Sequence, residues 1–194
     1  MEKTIICIDY EYGSKGKEIA EILAEKLEYK LYDKEQFMKI ARQRGDLERV
    51  KDFYEERPIN SLLYAIAMNY ANYQKEIYPF TMIEEIAAER PCVILGRCAS
   101  YVMRKDKEAI SIFIHACMED KVSYLMQEEK LSAFQAKEKI LERQEQQSAF
   151  FKEYTGLEWG NAKNYHLAIT TEGLSCEKAA EIIIQYKNIM EEKI

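Results

Sequence analysis

A chain of 194 residues with a formal charge of −6 lacks the basic face of a dedicated nucleic-acid binder, and its 47% hydrophobic and 32% charged residues describe one globular domain with a substantial core. No apolar run approaches the roughly 18 residues of a membrane span, and strand-like residues begin almost at the N-terminus, which predicts neither a membrane partner nor a signal peptide. The 5 cysteines are scattered without a C-x-x-C pair and there are 2 histidines, so the expectation is a reduced cytoplasmic protein with no metal-ligating cluster.

The first element in the chain, Ile5-Ile6-Cys7-Ile8, is a β-branched apolar run and reads as a buried strand. A loop with Gly13 and Gly16 follows, and then Ile19, Ala20, Ile22, Leu23 and Leu27 recur at helical spacing. Strand, glycine-containing loop and helix form the geometry of a phosphate-binding loop, where backbone N–H groups and the helix N-terminus surround an oxyanion. Gly13, Ser14, Lys15, Gly16, Lys17 and Glu18 are the candidate cradle, with Lys17 placed to reach the outer phosphates. The match to the full pattern is partial: Glu11 stands at the first glycine position, and Glu18 at the hydroxyl position that normally ligates Mg²⁺. The plainer reading of the same string is an ordinary turn whose glycines supply positive φ.

Tyr29 to Asp33 is the next candidate strand, followed by a helix from Glu35 to Arg44 with Gly45 as its C-cap. Asp46 is expected to cap a helix running to about Arg57, before Pro58. Asn60 or Ser61 opens a further helix through Leu62, Ile66 and Tyr70. The dense tyrosines of this region (Tyr54, Tyr64, Tyr70, Tyr73 and Tyr78) read as the amphipathic wall of a helical subdomain or, more sharply, as stacking partners for a base. A helix over Thr81–Arg90 stops at Pro91, and Cys92 to Leu95 is a buried strand ending in Gly96 and Arg97. Ala99–Met103 is a short helix, Ala109–Ile114 a strand, and Met118–Gln127 a helix. Ser132 caps a long charged helix that breaks at Gly156, Leu167–Thr170 is the last strand, and Cys176 to about Met190 the last helix.

Apolar strands alternating with helices predict an α/β fold, a parallel sheet of about five strands with helices on both faces. Such sheets bind ligands beyond the carboxyl ends of their strands. That edge carries the 10–17 loop, Asp33, Gly96 with Arg97, and the residues after Ile114 and Thr170.

In that arrangement the chain resembles the cytidylate kinase-like family, a branch of the P-loop nucleoside monophosphate kinases. The resemblance rests on Glu11-Tyr12-Gly13-Ser14-x-Gly16-x-Glu18-Ile19-Ala20, Tyr32-Asp33-Lys34-Glu35 and Val93-Ile94-Leu95-Gly96-Arg97-Cys98-Ala99-x-Tyr101. It continues in Phe113-Ile114-His115-Ala116 and in Tyr154-Thr155-Gly156-x-x-Trp159-Gly160-x-x-x-Asn164-Tyr165. It covers nearly the whole chain as one domain and implies a three-layer P-loop NTPase fold, with a helical acceptor flap near 33–75 and a lid near 131–156. It implies ATP and Mg²⁺ as cofactors, a small-molecule nucleotide as ligand, and phosphoryl transfer to an acceptor such as CMP. Lys17, Arg97 and Arg143 are then the candidate catalytic cations, with Asp33 and Arg97 binding the acceptor. For Asp33 the helix N-cap reading stands equally open.

The family usually has Ser-Arg where this chain has Asp9-Tyr10, Gly at Lys15 and Arg at Lys17. It writes Asp-Lys-x-Arg in the lid where this chain has Gln144-Glu145-Gln146-Gln147, and Tyr-Asp-Leu at Tyr165-His166-Leu167. The scaffold is thus kept better than the catalytic cations, with Lys15 and Arg143 as the nearest replacements. Three readings follow: a working kinase, a nucleotide-binding protein with little or no turnover, and an interaction scaffold that could form a homodimer through the apolar 62–78 region. His115 reads as a structural histidine before a ligand-edge one, His166 is open between a structural role and pairing with Tyr165 or a phosphate, and Trp159 reads as a loop anchor before a base-stacking ring.

Overall fold

The structure is a computed structural model describing residues 4–56, 78–89 and 91–191. Five strands, β1 (Ile5–Tyr10), β2 (Lys30–Tyr32), β3 (Cys92–Leu95), β4 (Ala109–His115) and β5 (Leu167–Thr170), form one sheet in the order β2-β3-β1-β4-β5. Every pairing is parallel, with β1 at the centre matching Ile5 to Cys92 on one side and to Ala109 on the other. Strands buried on both faces need apolar residues at consecutive positions, and β1 supplies them from Ile5 to Ile8.

The helices among the described residues are α1 (Gly16–Leu27), α2 (Lys34–Arg44), α3 (Leu47–Tyr54), α4 (Tyr78–Glu89), α5 (Ala99–Val102), α6 (Met118–Glu128), α7 (Ala133–Thr155) and α8 (Cys176–Glu191). The alternation of side chains along each strand divides them between two layers. Ile5, Cys7, Cys92 and Ile94 face a core filled by Phe37, Val50, Phe53 and Ile83, together with Phe150 and Phe151 from the end of α7. Ile6, Ile8, Val93 and Leu95 face Ile19 and Leu23 of α1 and Ala179 and Ile183 of α8. The outcome is the α/β three-layer architecture expected. A small third cluster, Leu125 of α6 with Ala136 and Ile140 of α7, holds the α6–α7 hairpin together and packs against Tyr12.

Local signals operate largely as read. Gly45 closes α2 and Gly156 closes α7, both in the left-handed region. Ser132 and Gln135 complete a reciprocal capping box at the start of α7. Asp46 differs: its side chain makes no bond to the backbone of α3, and instead takes Arg49 at 3.2 Å and the Tyr78 hydroxyl. The Asp46 backbone, at φ −102° and ψ 8°, is not in the extended conformation of a capping residue, which leaves the carboxylate to these two donors. Of the tyrosine-rich region, Tyr54 is fully buried and stacked on Phe37 at 5.0 Å, as a core wall requires. Residues 57–77 lie outside the described residues, and with them the 57–75 part of the expected flap, Tyr64, Tyr70 and Tyr73, the helix expected from Asn60 or Ser61, and all of the expected homodimer surface but Tyr78.

Candidate active site

The sheet centre delivers the glycine loop. β1 ends at Tyr10 and α1 begins at Gly16, with Lys15 at its N-cap in the left-handed region. A Cβ on Gly16 would lie 2.3 Å from the Tyr10 Cβ, so the loop returns past its own strand with no room for a side chain. Gly13 has φ +85°, and a Cβ there would meet the Lys121 Cβ at 3.1 Å. The first turn of α1, like any helix start, leaves N–H groups without intrahelical acceptors facing this loop.

The two carboxylates that break the phosphate-loop pattern are both engaged elsewhere. Glu11 accepts from Lys121 Nζ at 2.7 Å and from the Ala116 N–H at 3.3 Å, a mostly buried pair that ties the loop to α6. Glu18 accepts from the Tyr124 hydroxyl. Ser14 is buried, its hydroxyl 3.4 Å from the Ile114 carbonyl. Lys17 is half-exposed, 3.9 Å from Glu21 one helical turn on.

At the carboxyl edge of the sheet lies a cavity of about 320 Å³ whose lining includes Lys17, Asp33, Arg97 and Arg143. These four come from α1, the β2–α2 junction, the turn after β3, and the middle of α7. Lys15 lies apart from them. It lines a second cavity of about 360 Å³ with Gly13, Tyr124 and Thr171, its ammonium 5.8 Å from the Tyr124 ring centre. Lys15 therefore does not bring its charge to the place of the missing arginine beside Tyr10.

Two cations of the first cavity, Arg97 and Arg143, are engaged by neighbours. Arg97 follows Gly96 in a run of left-handed residues (Gly96, Arg97 and Cys98) and its guanidinium is paired with Glu56. Arg143 sits with its guanidinium carbon 5.9 Å from the Tyr12 ring centre. Lys139 reaches the same ring from one turn away, and the Tyr12 hydroxyl and Lys139 both bond Glu129. The loop tyrosine thus fastens the lid helix beside the cavity. Asp33 accepts the Gln36 N–H at 3.0 Å as an N-cap, and it also lines the cavity. Gln147, one helical turn beyond Arg143, lines the cavity with a buried side-chain oxygen that has no hydrogen-bond partner among the described residues.

Asp9 lies at the cavity floor, almost wholly buried, with Oδ2 accepting the hydroxyls of Ser100 and, at 3.0 Å, Tyr165. Burial pushes its carboxyl up from 3.8 to about 6, against the pull of the two hydroxyls, with Glu56 raising and Arg97 lowering it further. Sequence reasoning marked Asp9 only as a departure, and missed Tyr12, Glu56 and Lys121. Nothing local signals the partners of Glu56 and Lys121, which lie 41 and 110 residues away.

The remaining residues take structural positions. His166 Nδ1 accepts the Ser111 N–H at 3.0 Å, away from both cavities above. His115 ends β4 and stacks beside Phe113 at 6.3 Å. Trp159 meets Phe113 edge-on at 5.3 Å and so anchors its loop, while also lining the first cavity. No group of three or more His, Cys, Asp or Glu among the described residues would hold a metal by itself. Mg²⁺ brought in on nucleotide phosphates needs only one or two carboxylates; Glu18, in the first turn of α1, would serve only by leaving the Tyr124 hydroxyl that it accepts from. No helix among the described residues is long and apolar enough to cross a membrane.

Comparison with known proteins agrees with this geometry. A cytidylate kinase of Sulfurisphaera tokodaii is 25% identical over 104 residues, which span 54% of this chain and 57% of that enzyme. An uncharacterized protein from Eubacterium ventriosum has the same fold at TM-score 0.76 and 25% identity, covering 96% of this chain and 98% of that one. A gluconokinase from Sinorhizobium meliloti superposes at TM-score 0.59 and 10% identity, over 99% and 95% of the two chains, a likeness of fold alone. The model of the cytidylate kinase-like family matches residues 5–173, all five strands and the whole lining of the first cavity included, and the chain belongs to that family.

Proposed function

We propose that the chain transfers the terminal phosphoryl group of ATP to a small acceptor held in the first cavity, a nucleoside monophosphate such as CMP. The observation that carries this reading is the convergence of Lys17, Arg97 and Arg143, from three separate elements, on one cavity beside the glycine loop. Phosphoryl transfer asks a protein mainly to position two oxygens in line and to offset charge on the transferring group. In this reading the 13–18 loop and the start of α1 hold the donor phosphates, with Lys17 on the outer ones and the nucleoside in the second cavity. Arg97 grips the acceptor's phosphate as a bidentate fork, Asp33 orients the acceptor, and Arg143 faces the transferring group. Mg²⁺ would come in on the donor phosphates beside the start of α1, where Glu18 would hold it once released from Tyr124, and would supply positive charge to offset that developing on the transferring group. The described cysteines are all free, which suits action in the reducing cytoplasm.

A second reading, a nucleotide-binding protein with little turnover, is favoured by Gln147 in the lid and by the engagement of Arg97 with Glu56. ADP release measured against a panel of nucleoside monophosphates separates the two. The first reading predicts saturable release with CMP or another monophosphate. ATP binding with no release above background would favour the second.

A further inference from the structure

The Arg97–Glu56 pair is the feature the phosphoryl-transfer reading does not absorb. Both side chains are mostly buried, 14% and 17% exposed, where the cavity meets the end of α3. Glu56, like Arg97, is a non-glycine residue in the left-handed region, with φ +54° against +59°. Such conformations persist where the surroundings over-determine them, and they gather at ligand clamps. A carboxylate and a phosphate offer oxygen acceptors to the same guanidinium N–H donors. Glu56 therefore occupies donors that an acceptor phosphate would need.

The charge around the cavity points the same way. Its lining carries four basic side chains, Lys17, Lys34, Arg97 and Arg143, and five acidic ones, Asp9, Asp33, Glu35, Glu55 and Glu56. A dianionic phosphate entering with Glu56 in place meets a surface with no excess of positive charge. Withdrawing Glu56 alone frees the guanidinium and removes one carboxylate.

We propose that Glu56 is an internal competitor in the acceptor subsite: its carboxylate holds the place on Arg97 that the acceptor's phosphate must take. This rests on the reading of the first cavity as an acceptor site. Phosphate monoesters then bind in competition with an internal carboxylate, so weakly held anions are rejected. An acceptor that fills the rest of the cavity displaces Glu56.

Calorimetric titration of wild type and Glu56→Gln with inorganic phosphate and with CMP tests this. Glu56→Gln is expected to bind CMP about tenfold more tightly or better, since one competing charge is removed from a partly screened site. Inorganic phosphate should gain in the same direction, and a further Arg97→Gln change should abolish both gains. Equal or weaker binding by Glu56→Gln, including no detectable binding of either probe, overturns the proposal, as does a gain that survives Arg97→Gln. If Glu56→Gln melts below the titration temperature, Glu56→Asp serves, its shortened arm giving an intermediate gain. Mg·ATP titrated in parallel keeps the two readings apart. Its affinity should not change in Glu56→Gln, and absent ATP binding with intact phosphate gains would defeat the kinase reading while leaving the anion subsite.

Discussion

Replacing Asp9 with Asn tests the electrostatics of the cavity floor through stability. In the folded chain the Asp9 carboxyl titrates near 6 instead of 3.8, chiefly because burial disfavours its charge. That rise corresponds to about 3 kcal/mol at 1.36 kcal/mol per pH unit. The sign follows from proton binding. Between the two values the folded state holds a proton that the unfolded state has lost, so stability falls as pH rises through this window and levels off above about 6. Asn keeps a side-chain oxygen for the Ser100 and Tyr165 hydroxyls but carries no charge at any pH. Urea unfolding of both proteins from pH 4 to 7.5 should show Asp9→Asn gaining on wild type by about 3 kcal/mol across the series, mostly between pH 4 and 6. A difference that stays flat with pH would refute the reasoning, and one that moves the other way would mean Arg97 outweighs burial.

Other changes probe the loop and the lid. Gly16→Ala should destabilise by about 1–3 kcal/mol in denaturant unfolding, because the collision is with the Cβ of Tyr10, which no rotamer change relieves. Tyr10→Ala, which keeps that atom, should not rescue it. Lys121→Met strands the Glu11 carboxylate and should lose about 3 kcal/mol or more in the same assay, most of it regained by Glu11→Gln in the same chain. If Arg143 faces the transferring group, Arg143→Ala lowers kcat by about 10²-fold or more with little change in KM, read by ADP release. An effect confined to KM would move Arg143 into acceptor binding.

The layers of the fold were legible because their causes are local. The β-branched run Ile5 to Ile8 reads as a strand buried on both faces, and Ser132 marks the cap of a long charged helix. The edge that carries the cavity followed from strand direction alone, and Asp33, Gly96 and Arg97 lie on it. What the string did not carry is where each side chain goes once the backbone is placed. Lys15 and Lys17 are two residues apart on the loop, yet line different cavities because the helix begins between them. Glu11 and Glu18 stand as departures from the phosphate-loop pattern, and nothing near them in the sequence points to their partners Lys121 and Tyr124. Those partners sit on α6, which the sequence marked as a helix without showing which face meets the loop. Asp46 took side-chain partners over helix backbone for a similar reason: Tyr78 arrives from 32 residues away.

The most direct test of the central claim is calorimetric titration of wild type and Lys17→Ala with ATP, with and without Mg²⁺. A working phosphate loop predicts binding that depends on Mg²⁺ and falls at least about tenfold when the Lys17 charge is removed. Wild-type protein that takes up no ATP at millimolar concentration, or binds it equally well without Lys17, would contradict the account.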